Sequence, residues 1–201
     1  MLKEQFLGKN PSHFQINPIV KSFIISETFL WSAWNFVTPI FAIFVVSSIQ
    51  GGDVQIAAAA FSVHLIARVF SELISGRYLL KKPDRVKFVI TVIGMLFISL
   101  SYIGFAFSRT ILVLFIFYAV AGIGLGIASP AKNSLFSTHL DRNKEPSEWG
   151  VYDAVVFIGM ALATALGGFI AGQYGFQFLF FLASIVNLLG IFPYLLYIRG
   201  R

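Results

Sequence analysis

Cysteine is absent from all 201 residues, which removes disulfides, thiol catalysis and thiolate metal sites together. Charge is also scarce: 12% of residues are Asp, Glu, Lys or Arg against 57% hydrophobic, and the mean hydropathy is +0.81. Soluble domains carry about a quarter charged residues, so the composition excludes one. No nucleophile elbow, HExxH or aspartate-rich phosphotransfer motif is present, and the run GIGLG from Gly122 to Gly126 follows no strand pattern. An enzyme is therefore not expected, nor a metal or cofactor. The net charge of +6 does not signal nucleic acid, because the basic residues lie in short segments between apolar runs. The lipid bilayer, with its anionic headgroups, suits them better.

What is present is a series of six apolar segments, at about residues 22–49, 54–76, 88–107, 110–129, 151–172 and 176–198. Each meets the roughly 20 residues that a spanning helix needs. The first is far longer than a signal peptide's apolar region and lacks a small-residue cleavage site, so it reads as a retained span. The expectation is an all-α integral membrane protein: an interfacial or cytoplasmic segment over residues 1–21, a six-helix domain over 22–198 and a short tail over 199–201. Every Lys and Arg except Arg109 and Arg68 falls on the side of the N-terminus. This asymmetry predicts a multi-pass protein of the cell membrane with both termini in the cytoplasm.

The second segment carries His64, Arg68 and Glu72 at four-residue spacing, about one helical turn. Counted inward from Gly76, Glu72 lies ~6 Å deep, Arg68 ~12 Å and His64 ~18 Å. In the first segment Glu27 lies ~8 Å from the same surface, and Asp153 opens the fifth within about a turn. Ionisable groups in a membrane are costly. Glu27, Arg68, Glu72 and Asp153 at one depth therefore predict an ion-pair network, either a structural lock or a gate on the cytoplasmic side. His64, near mid-membrane, reads either as a packing histidine or as a handler of protons or substrate.

Glu27, Trp31, Trp34, Asn35 and Thr38 share roughly one face of the first segment, and Tyr118, Gly122, Gly126 and Pro130 recur at i+4 in the fourth. The first set, with Tyr118 and Gly122, forms the candidate cavity; the glycines also permit close approach or bending. Tyr194 falls near the inner boundary, as an aromatic belt would place it. In the fifth segment Gly159, Ala163, Gly167 and Ala171 form a small-residue stripe, with Gly168 and Gly172 beside it. Such a stripe serves packing within the bundle or an interface between subunits.

ARVFSELISG, with Arg68, Phe70, Glu72 and Gly76, resembles the pattern that precedes the signature loop of the major facilitator superfamily, GxLaDrxGrk. Gly76 and the basic character of Lys81, Lys82 and Arg85 match. Leu80 stands where the loop aspartate belongs and Pro83 where the second glycine belongs, leaving Asp84 as the acid able to take its place. GMALATALGG resembles the antiporter motif GxxxGPxxGG at Gly159, Gly167 and Gly168, with Ala163 and Thr164 replacing Gly-Pro.

The resemblance implies half of a twelve-helix fold, built from two inverted three-helix repeats, that moves a small solute by alternating access. Glu27 and His64 make a proton the first candidate for coupling, and Arg68, Glu72 and Asp153 would serve a gate. Because the two halves of such a fold point the same way, two copies of one six-helix chain could pair in parallel as a homodimer. A fragment of a larger transporter, or the six-helix substrate-binding subunit of an ATP-driven importer, are the competing readings.

Overall fold

Asn17 starts the first helix: its side-chain oxygen accepts from Ile19 N at 2.9 Å, and Pro18 takes the first helical position, where no amide donor is needed. The computed structural model describes residues 16–199, so residues 1–15 of the expected interfacial segment and residues 200–201 of the tail lie outside it. Helix α1 (Pro18–Val37) gives way at Pro39 to a single 3-10 turn, Thr38–Ile40, and resumes as α2 (Phe41–Ser48). The unbroken first segment of the sequence is thus two helices in series, because proline supplies no amide to the turn before it.

Asp53 caps α3 (Val54–Tyr78) by accepting from Ile56 N at 2.7 Å. Then come α4 (Asp84–Phe107), α5 (Ile111–His139), α6 (Glu145–Leu189) and α7 (Phe192–Arg199). No strand occurs among the described residues; Gln50 and Thr110 form one isolated bridge that ties two connections together.

Among the described residues five stretches are long and apolar enough to cross a membrane, where the sequence suggests six. The fifth, Glu145–Leu196, is 52 residues long, about 78 Å of helix against a hydrocarbon core of about 30 Å. It is broken at Gly175, whose φ of 83° is open to glycine and strained for other residues. Contacts on either side of that break run in opposite directions. Before it, Tyr152 meets Glu27, Gly159 meets Thr28, and Gly167 meets Phe36. After it, Phe180 packs on Phe44 and Tyr194 on Phe23, so the chain turns back along α1 and α2.

The fourth segment is longer than the sequence suggests. Helix α5 runs through Pro130 to His139, which puts Lys132 inside the helix instead of in a polar loop. Proline is tolerated within membrane helices because neighbours re-satisfy the freed backbone. Here the carbonyl left without its amide is that of Gly126, and next to it Ser75 Oγ of α3 donates to Ile127 O at 2.8 Å, tying α3 to α5 at the proline. The helix that follows likewise starts earlier than expected, at Glu145 instead of residue 151.

Close crossings hold the bundle. A Cβ on Gly122 would lie 2.2 Å from the His64 carbonyl oxygen, and one on Gly126 2.5 Å from that of Arg68, so α5 and α3 touch backbone to backbone. Gly167 does the same to Phe36 of α1, at 2.3 Å. Between α4 and the returning limb of α6, Asn187 Nδ2 donates to Met95 O at 2.8 Å and to Ser99 Oγ at 2.7 Å. Over its most apolar window α4 is 56% buried, whereas α3 and α6 are 17% buried and turn large apolar faces outward.

Candidate functional site

The elements place two distinct sites in the bundle. One end gathers Asn17, Asp84 and Asp141 with the basic residues of the α3–α4 and α5–α6 connections, and is called here the basic end. The far end gathers Gln50, Arg109 and Thr110.

Near the basic end, the buried Glu27 carboxylate collects four donors from three helices besides its own. Lys132 of α5 forms a buried ion pair with Oε2. Trp31 Nε1 and the Tyr152 hydroxyl each donate to the same oxygen at 3.1 Å, and the Tyr194 hydroxyl donates to Oε1 at 3.3 Å. Lys132 also lies 5.1 Å from the Trp31 ring centroid, a cation–π distance. The neighbouring cavity, lined by Phe23, Glu27, Lys132, Asn133, Phe136, Trp149 and Tyr152, measures about 10 Å³, the room one water takes. The cluster is saturated and sealed against anything larger.

Toward the far end, the 3-10 turn, α2, α3 and α5 border an open cavity of about 270 Å³ lined by Thr38, Phe41, Ala42, Val54, Ala57, Ala58, Phe61 and Tyr118. No lining side chain is Asp, Glu, Lys or Arg. Behind its wall sits His64, 1% exposed. Its ring lies 4.9 Å from Trp34, stacks at 15° on Phe61 at 5.8 Å and meets Tyr118 edge-on at 5.8 Å.

The expected residues therefore separate. Thr38 and Tyr118 line the larger cavity, and Trp34 stands one ring behind it through His64. Glu27 and Trp31 belong to the sealed cluster, Asn35 donates back to Trp31 O at 2.9 Å, and Gly122 lies in the α3–α5 crossing. The four ionisable groups expected at one depth do not form one network. Arg68 Nε pairs with Glu72 Oε2 at 3.2 Å on a half-exposed face of α3, Glu27 is bound elsewhere, and Asp153 is exposed. At the signature loop, Lys82 lies 4.9 Å above the Tyr78 ring, while Lys81 and Arg85 are exposed. Asp84 reaches Lys87 at 3.5 Å and His139 at 3.6 Å, joining α4 to the end of α5, and a Cβ on Gly76 would lie 3.9 Å from the Pro130 ring.

The small-residue stripe is spent inside the chain: Gly159 faces Thr28 and Ser32, Ala163 is buried, Ala171 is half-buried and Gly167 meets Phe36. Gly168 and Gly172 have open space before them. Sequence reasoning missed Lys132, read as a loop residue, and Tyr194, read as part of a surface belt. Arg68 at the same depth offered Glu27 a base, and that left no signal in the sequence for Lys132.

Helices of this length and apolarity, crossing at glycines and burying an ion pair, define a multi-pass membrane protein. The chain belongs to the Major Facilitator Superfamily, whose family model matches residues 23–201. This is a family of transporters, not of enzymes. Over 92 residues it is 33% identical to the Bacillibactin exporter of Bacillus subtilis (strain 168), a match covering 46% of this chain and 23% of the exporter. The POT family transporter PepTSo shares the fold, with a TM-score of 0.76 at 13% identity over 93% of this chain and 38% of the other. The matched regions thus cover well under half of either relative.

Proposed function

We propose that this chain supplies half of a transporter that moves a small solute across a cell membrane by alternating access. In this reading the reversal at Gly175 divides the fifth stretch into two crossings. That makes six in all, arranged as two inverted three-helix repeats, with the basic end and both termini in the cytoplasm. The observation that carries the reading is the buried Glu27–Lys132 pair. A buried ion pair is seldom worth more to stability than an apolar contact of the same volume. One placed in a membrane bundle, linking α1 and α5 at a carboxylate that also accepts from tyrosines of α6 and α7, marks a working part.

Glu27 and Lys132 couple transport to a proton. A proton added to Glu27 meets an oxygen already facing donors, so it displaces Lys132 or a tyrosine and loosens the joint between helices. Arg68 and Glu72, on the outward face of α3, and Asp153, near the start of α6, act at the cytoplasmic gate against the partner half. The expected outcome for Glu27→Gln in proteoliposomes is solute uptake that no longer responds to an imposed pH gradient. An unchanged response removes Glu27 from coupling. The ATP-driven importer reading is not favoured by the family match.

The partner half in this proposal is a second, parallel copy, docked through the outward faces of α3 and of the first limb of α6. Because Gly159 and Gly167 are already packed on α1, the open Gly168 and Gly172 mark the face available for it. Gly172→Cys is expected to give a dimer-sized product on cross-linking in native membranes. Monomer alone under conditions that cross-link a known dimer removes the homodimer.

A further inference from the structure

The far-end cavity differs chemically from everything else in the bundle interior. Its walls hold three rings, Phe41 from α2, Phe61 from α3 and Tyr118 from α5, with Ala42, Ala57 and Ala58 leaving the space between them. The Phe41 and Tyr118 rings lie 4.4 Å apart and those of Phe61 and Tyr118 6.4 Å, the spacing at which aromatic faces and edges engage one another. Two hydroxyls, of Thr38 and Tyr118, are the polar groups of the wall side chains. A charged group set against that wall would lose part of its hydration with no counter-charge in the lining. The nearest ionised groups are taken up elsewhere, Glu27 by Lys132 inside the bundle and Arg68 by Glu72 on the outer face of α3.

Size narrows the occupant further. A cavity of about 150 Å³ lined by apolar side chains takes benzene, so 270 Å³ has room for a fused two-ring system. Pockets of this kind, apolar with a few convergent polar groups, orient a ligand by the polar groups and hold it by the walls. His64 lies against the outer faces of Phe61 and Tyr118, and its Nδ1 has no hydrogen-bond partner although the residue is 99% buried. A rotation of Phe61, itself 40% exposed, would present that nitrogen to the cavity.

We propose that this cavity seats an uncharged, planar aromatic ring of the transported solute, packed against the wall that Phe41, Phe61 and Tyr118 form together. The inference rests on the transporter reading for the word transported, and on the cavity alone for the ring.

The test is equilibrium dialysis of radiolabelled indole against the purified full chain in detergent, with competition by unlabelled indole, indole-3-carboxylate and cyclooctanol. Indole is expected to compete at least tenfold better than either of the others. Ala58→Trp, which fills the cavity from an exposed wall position, is expected to lower indole retention at least tenfold with an unchanged melting temperature. Equal competition by cyclooctanol would show a groove for aliphatic chains such as lipid tails and overturn the proposal, as would equal competition by the carboxylate. Undiminished retention by folded Ala58→Trp would place the ring elsewhere and overturn it too. Solute uptake in liposomes separates the two readings. Indole retained in the cavity without uptake of any ring-bearing solute supports the site and removes transport. Uptake without retention leaves the transporter and overturns the site.

Discussion

The Glu27 cluster and the far-end cavity lie in the same bundle and solve opposite problems. At the basic end charge is buried, and every position around it is filled: four donors for two oxygens and room for one water. At the far end space is left open, and charge is kept out of the walls. In lipid an unpaired polar group costs more than an unfilled apolar volume, so a membrane protein concentrates its polar interactions at one closed joint. Between α2, α3 and α5 it leaves volume open against a wall that carries no charge. The joint sets how the helices are held, and the cavity sets what fits between them.

The largest expected effect follows from opening the joint. Lys132→Met leaves a buried carboxylate without its cation, which costs on the order of 3–5 kcal/mol. Unfolding of the detergent-solubilised chain should report a loss of that size. Adding Glu27→Leu to Lys132→Met should recover most of it, since two apolar side chains replace both charges. A double variant as unstable as the single one would mean that the tyrosines, and not the ion pair, hold the helices.

Much of this contrast was legible in the residues. The spans, the glycine crossings of α5 and the turn near residues 173–175 followed from apolar length and from small or turn-forming side chains. The pairing of charges did not. Four-residue spacing overshoots a 3.6-residue turn by about 40° at each step. His64 is therefore buried at 1% exposure, while Arg68 and Glu72 have turned onto the outer face. The apolar run stops at about residue 129 and polar residues follow from Lys132, and that boundary left Lys132 in a loop. In a bundle the neighbours of α5 hold it straight on to His139, and the lysine arrives opposite Glu27. Which faces meet is a property of helix crossings, and no single segment states it.

At the far end the expected stability effect is the smallest, and there the contrast is sharpest. Phe61 is 40% exposed and contributes one face to His64, so Phe61→Leu keeps an apolar side chain on the wall and should change unfolding by no more than about 0.5 kcal/mol. The same substitution removes one of the three rings that frame the cavity. Aromatic pairs are worth about 0.5–1.5 kcal/mol beyond the area they bury, which is a weakening of roughly 2- to 10-fold in indole retention. Melting and dialysis on one preparation read both quantities together. If Phe61→Leu destabilises the chain as far as Lys132→Met does, the ring is part of the framework and the division between a joint and a binding wall fails. If retention falls while melting stays, recognition and cohesion are carried by different ends of the same helices.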